Sequence, residues 1–178
     1  MPGPVFIDGE SVSLRTIEEE DLEFLQRVVN MPEIRRAIGA SGPVNGPQEQ
    51  DFFEETVSED GSADLLVTVD GERVGIAGLI FGEGAVTSAE LGYWLAPEYH
   101  GRGYGSEAAA LLVEYGFEQR ACHRIEAKVF GFNDASQALL ESVGFTREGT
   151  RREAHFTDGE YGDVHIYGLL AEEWRGER

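Results

Sequence analysis

Residues 101–107 read GRGYGSE, three glycines in five positions, and run directly into a helical stripe of Ala108, Leu111, Leu112 and Tyr115. Glycine loses more conformational freedom on folding than any other residue, so its place at a helix mouth needs a reason. One reason is a tight strand-to-helix turn. The other is a backbone that approaches an anion, because the free N–H groups and dipole of a helix start attract negative charge. Gly101, Gly103 and Gly105 lack the side chains that would hold a phosphate at a distance. The spacing is not G-x-G-x-x-G, and no G-K-[ST] follows, so the usual dinucleotide and Walker motifs are absent. On the glycines alone, both readings stay open.

Other chemically capable residues are sparse. His100, His123, His155 and His165 are too scattered for a zinc framework, and Cys122 is the lone cysteine, so no metal is expected. Cys122 adjoins His123, but in a strand neighbouring side chains point to opposite faces, which argues against a nucleophile–base pair. Asn133 and Ser136 stand as the N-cap and third residue of a short helix, NDASQALLESV, closed by Gly144. Glu90 opens ELGYWL, where alternation places it on the face of Gly92 and Trp94.

The elements that must position these residues follow from periodicity. RTIEEEDLEFLQRVVN reads as a helix with Thr16 as cap and Glu19 completing a capping box, ended by Pro32. PQEQDFFEETV is a second, short helix. ADLLVTVDGERVGIAGLIF is a hairpin about Asp70-Gly71, and AVTSAELGYWL is a strand after a turn at Gly82–Gly84. HRIEAKVF alternates as a strand, and a last hairpin turns at Asp158-Gly159. A strand–helix–strand unit implies one parallel pair within an otherwise antiparallel meander. The fold class is therefore α/β, in its mixed α+β form, with the glycine loop where open sheets bind ligands.

The chain has 178 residues, and 41% hydrophobic with 10% aromatic content is a folding composition. One domain over residues 1–178 is expected. No apolar run approaches the roughly 18 residues that span a bilayer, and residues 1–10 lack the features of a signal peptide. With a single cysteine, a reducing cytoplasm is the expected setting. Thirty-four acids against 14 bases give a formal charge of −20, and all but one of the bases, Lys128, are arginine. No basic footprint supports nucleic-acid binding, and no membrane partner is expected. Acids spread along the chain with lysine nearly absent suit a salt-rich, halophilic cytoplasm, where a Debye length of about 3 Å at 1 M screens self-repulsion.

The segment ELGYWLAPEYHGRGYGSEA resembles the signature of the GNAT acetyltransferase superfamily, a strand leading into an R/Q-x-x-G-x-G/A loop. NDASQALLESVGF is similar to the Asn-x-x-Ser…Gly-Phe segment of that family. EGTRREAHFTDGEYGDVHIYGLL and the closing EEW resemble its Rim-type branch, which acetylates N-terminal amines of ribosomal proteins. The resemblance covers nearly the whole chain, most clearly residues 63–174, and departs at His100, where Arg or Gln is usual. It implies a twisted mixed sheet of about six or seven strands, splayed between two parallel strands and flanked by about four helices. It also implies acetyl-CoA as acyl donor, its pyrophosphate held by His100, Gly101, Arg102, Gly103, Tyr104, Gly105 and Ser106, with Asn133 as a further contact.

The implied reaction is direct attack of a primary amine on the thioester. An alkylammonium with pKa near 10.4 must lose its proton, the oxyanion needs a donor, and a thiol of pKa near 8.5 leaves readily. By resemblance, Glu90 or His155 is the base, Ser136 the acid, and a backbone amide near Trp94 or Leu95 the oxyanion donor. The acceptor implied is a protein N-terminus. A polyamine, an aminoglycoside-like amine, or a non-catalytic acyl-CoA sensor are the alternatives, and a homodimer is compatible with the sequence.

Overall fold

The computed structural model describes residues 2–82 and 87–176. The turn expected at Gly82–Gly84 lies outside the described residues from position 83 onward, as do the first two residues of the strand expected from Ala85. Eight strands form one sheet in the order β1-β2-β3-β4-β5-β6-β8-β7. They are β1 (Val5–Asp8), β2 (Ser13–Thr16), β3 (Ser62–Val69), β4 (Glu72–Phe81), β5 (Ser88–Leu95), β6 (Arg124–Phe130), β7 (Thr146–Thr157) and β8 (Glu160–Leu170). Every neighbouring pair is antiparallel except β5 and β6. The helices are α1 (Leu22–Val29), α2 (Pro32–Ile38), α3 (Gly46–Phe52), α4 (Tyr104–Glu118), α5 (Asp134–Val143) and α6 (Ala171–Gly176).

The sheet exceeds the expected six or seven strands because a short hairpin, β1–β2, extends it at the N-terminus. Its four-residue strands are too brief for alternation to register. Thr16 is consequently not a helix cap: it pairs with Leu65 as the last residue of β2. Glu18 instead forms a capping box with Asp21 over a 3-10 turn, Glu19–Asp21, and α1 starts only after it. Pro32 both follows the end of α1 and starts α2, where its missing N–H costs nothing at the first turn.

The two faces of the sheet are covered differently. One packs against α4 and α5 through Leu79, Leu91, Leu112, Ile125, Leu140 and Tyr167. All of these but Leu91 are fully buried, and burial of Leu112 or Ile125 stabilises the fold by about 1.5–3 kcal/mol. The other face packs against α1, α2 and α3 through Leu25, Val28, Ile34, Leu66, Ile76 and Trp94. Cys122 and His123 lie in the loop before β6, not in the strand itself. The Cys122 thiol is buried, and burial pushes its pKa up, which opposes the thiolate a nucleophile needs.

Candidate active site

The parallel contact of β5 with β6 is short. It runs through Ser88↔Arg124, Ala89↔Ile125 and Glu90↔Glu126, and then the strands part. Beyond that point β5 stays paired to β4 without a register shift as far as Gly75↔Leu95, and β6 stays paired to β8. The gap opens a cleft of about 880 Å³ between them, within the range of small-molecule sites.

The open edge of β5 offers unpaired peptide groups. Gly82 N–H donates to Ser88 O and Ala96 N–H to Val74 O, which fixes the alternation along the pair. By that alternation Gly92 and Trp94 turn their peptide groups toward β4, whereas Leu91, Tyr93 and Leu95 turn theirs toward the gap. The backbone donor facing the cleft near the end of the strand is therefore at Leu95 and not at Trp94. The Trp94 side chain nonetheless lines the cleft, and it packs against the apolar groups of α2.

At the C-terminal end of β5, a 3-10 turn, Pro97–Tyr99, leads into the glycine loop and α4. Gly101 and Gly103 take φ of +72° and +85°, a region that disfavours any side chain, and Gly103 is the N-cap. With no capping side chain, the first N–H groups of the helix, on Tyr104, Gly105 and Ser106, face outward. Gly105 serves a different end, since a Cβ there would lie 2.9 Å from Leu139 of α5. It allows the two helix starts to approach. Gly101, Gly103, Tyr104, Gly105, Ser106 and His100 all line the cleft. Arg102 does not; its guanidinium lies 5.9 Å from the ring centre of Tyr99.

Two contacts shape the cradle, the first of which turns an acid away from it. Glu107, the acid in the first turn of α4, accepts from Ser11 N–H at 2.8 Å and so points toward the β1–β2 loop. His100 Nε2 lies 2.8 Å from the carbonyl oxygen of Leu95. A carbonyl only accepts, so that nitrogen carries the proton, and the ring ties the loop to the strand.

Across the gap, Asn133 caps α5: its Oδ1 accepts from Ser136 N–H at 3.1 Å. Ser136 Oγ stands 2.7 Å from Tyr93 Oη, with either atom able to donate. Burial pushes the Tyr93 phenol up to about 12, partly countered by its bond to Ser136, so it remains protonated. Glu90 lies below, its Oε2 2.6 Å from Lys128 Nζ, the two side chains 41% and 42% exposed. Both line the cleft.

The structure thus brings together Glu90, Trp94, Leu95, the loop from His100 to Ser106 apart from Arg102, Asn133 and Ser136. It does not bring His155 to the wall. That ring packs 4.4 Å from Phe130 and 5.6 Å from Phe132, with Nδ1 3.3 Å from Thr157 Oγ1. Tyr93, Lys128 and Arg151 line the cleft and were not anticipated. Tyr93 carried a signal, since alternation in ELGYWL sets it on the face opposite Glu90. Lys128 carried another as the sole lysine in an acidic chain.

The family model for an acetyltransferase (GNAT) domain matches residues 11–146. The protein named "Putative ribosomal N-acetyltransferase YdaF" of Bacillus subtilis (strain 168) is 30% identical, over 96% of this chain and 97% of its own. Spermidine N(1)-acetyltransferase of Escherichia coli (strain K12) is 26% identical, over 86% and 82%. The structure of Mycobacterium smegmatis RimJ in complex with CoA-disulfide superposes with a TM-score of 0.78 at 26% identity, covering 97% of this chain and 88% of that one. With the splayed parallel pair, the glycine loop at a helix start and these likenesses together, the chain belongs to the GNAT family and is an N-acetyltransferase that uses acetyl-CoA.

Proposed function

We propose that this protein acetylates the N-terminal amine of a protein or peptide. The observation that carries the reading is the composition of the cleft. Among its lining residues Glu90 is the sole acid, and that acid already faces Lys128. A polyamine carries several positive charges, and desolvating each calls for a partnering carboxylate. A peptide N-terminus brings one ammonium, which a single carboxylate serves. The likeness to a relative named for ribosomal N-acetylation supports the same reading, although a spermidine-acetylating relative is also similar.

In this reading the donor's pyrophosphate rests on the N–H groups of Tyr104, Gly105 and Ser106, in the loop set by Gly101 and Gly103, with Asn133 contributing its amide NH2. Arg102 adds long-range positive charge. His100 holds the loop to Leu95 through its Nε2–H. The amine nitrogen attacks the thioester carbonyl carbon, forming the C–N bond. Glu90 accepts the amine's proton on Oε1, directly or through a water, because Oε2 is engaged by Lys128. The oxyanion accepts from a peptide N–H on the open edge of β5 at Leu95. As the C–S bond breaks, the Tyr93–Ser136 hydroxyl pair donates toward the departing sulfur. His155, off the wall, has no part in proton transfer.

The test is a comparison of acceptors. A short peptide with a free N-terminus should be acetylated with a kcat/KM at least tenfold above that of spermidine. The same peptide with a blocked N-terminus should be inert. Preference for spermidine would contradict the reading. We also read the charge of −20 as fitted to concentrated salt. The unfolding midpoint should then rise from low to molar KCl, and a midpoint independent of salt would refute that adaptation.

A further inference from the structure

The wall of the cleft across from β5 contains a second, stranger feature. Phe130 of β6 pairs with Val164 of β8, and Val164 pairs with Arg151 of β7. Directly opposed residues share a face, so the three form a row, and all three line the cleft. Along β6, Lys128 is the next residue on that same face, as Glu90 and Trp94 are on β5. This is the face covered by α2, whose Ile34 and Ile38 also line the cleft, and it lies opposite the face packed by α4. Arg151 therefore belongs to the acceptor end and not to the pyrophosphate end.

The backbone beside Arg151 is irregular. Register passes from Arg151↔Val164 to His155↔Gly162, so Arg152, Glu153 and Ala154 stand opposite the single residue Asp163. Glu153 adopts a φ of +50°, uncommon for a residue with a side chain, and its N–H donates to Asp163 Oδ1 at 2.9 Å. Bulges next to active sites re-aim side chains, and this one brings Ala154 to the cleft wall alongside Arg151. An ion pair at 3.0 Å between Arg36 of α2 and Asp158 holds the hairpin tip against the opposite wall.

Charge makes the position informative. Among the described residues Arg151 has no ion-pair partner, and the one acid in the cleft is already engaged by Lys128. A protein of net −20 thus leaves an exposed guanidinium with no ion-pair partner among the described residues on its acceptor wall. A cationic acceptor gains nothing from it. A carboxylate on the acceptor gains a planar, bidentate partner.

We propose that Arg151 is a specificity-determining residue that selects acceptor chains carrying a carboxylate close to the reacting amine. The inference rests on the N-terminal reading above. β7 lies two strands beyond β6, and two spacings of about 4.8 Å correspond to roughly three residues of extended chain. The acidic side chain is therefore placed at the second or third residue of the acceptor.

The experiment uses the intact protein at one fixed salt concentration and three acceptors. Two are peptides identical except for Glu or Gln at positions 2 and 3, and the third is spermidine. The wild type should favour the Glu peptide by roughly tenfold to a hundredfold in kcat/KM, the range expected for a hydrogen bond to a charged group. In Arg151→Gln the ratio of the two peptides should fall toward one, and in Arg151→Glu it should invert. Thermal stabilisation by acetyl-CoA in both variants verifies that they are folded. Turnover of both peptides with a ratio that Arg151→Glu leaves unmoved overturns this inference and leaves the N-terminal reading standing. Turnover of spermidine with neither peptide accepted overturns both.

Discussion

In the proposed reading, the donor and acceptor ends of the cleft are built on different principles. The donor end is made largely of backbone: two glycines at positive φ, the open start of α4, and an α5 start whose cap residue faces the gap. The acceptor end is made of side chains from separate elements, with Glu90 on β5, Lys128 on β6, Arg151 on β7 and Ile34 on α2. A backbone cradle recognises what every donor shares, the pyrophosphate, and leaves its side chains free to vary. His100 illustrates this, for it stands where Arg or Gln is usual and simply bonds back to Leu95. Side chains recognise what differs between acceptors.

If this contrast is sound, side-chain changes should matter most at the acceptor end and backbone changes at the donor end. Glu90→Gln should lower kcat/KM by roughly 10²–10⁴, the span for losing a general base, while the thermal shift given by acetyl-CoA stays intact. An unchanged rate would remove Glu90 from the mechanism. At the other end, Gly103→Val puts a branched side chain at φ +85° and should cost about 1–2 kcal/mol of stability. Acetyl-CoA should bind about a hundredfold more weakly, whereas His100→Gln should bind within a few-fold of wild type. Titration calorimetry reads both. Equal losses in the two variants would mean that the cradle depends on side chains after all.

Smaller effects refine the boundary between the ends. Ser136→Ala removes the partner of Tyr93 and should reduce kcat by about tenfold with little change in donor affinity, measured by steady-state kinetics. An effect confined to KM would instead make Ser136 a binding contact. The smallest expected effect concerns stability. His165 is buried, and its Nδ1 lies 2.7 Å from Arg147 Nη2, so that nitrogen accepts and the ring is neutral. Burial first, and the Arg147 charge second, hold its pKa below the ordinary value. The unfolded chain then binds the proton more readily, so this contribution is present above about pH 6.5 and is lost as pH falls through the folded pKa. The midpoint gap between wild type and His165→Gln should accordingly narrow from pH 7.5 to pH 5.5. A gap that widens would reverse the assignment.

What could be read from the residues alone follows the same division. Apart from the start of α5, the donor end is a local motif, contiguous in the chain from Leu95 to Ser106, and its spacing survives without coordinates. The parallel pair followed from the strand–helix–strand order, its splay from the family resemblance, and the Asn133 cap from its position before the helix. The acceptor end depends on register. Arg151 meets the cleft only because β8 sits between β6 and β7 and because a bulge shifts the hairpin, neither of which a periodicity of two records. His155 failed to reach the wall for the same reason: after the bulge its ring turns onto Phe130. Thr16 as a cap was wrong because a four-residue strand and a helix cap look alike over so short a run.

The central claim is that a backbone cradle delivers an acetyl group to an amine brought in on the Glu90 side. The most direct measurement is release of free CoA thiol from acetyl-CoA on addition of a peptide with a free N-terminus, with the peptide mass recorded in parallel. The expected result is stoichiometric thiol release and one added acetyl group on the peptide, both lost in Glu90→Gln. Thermal stabilisation by acetyl-CoA with no thiol release for any amine offered would contradict the account.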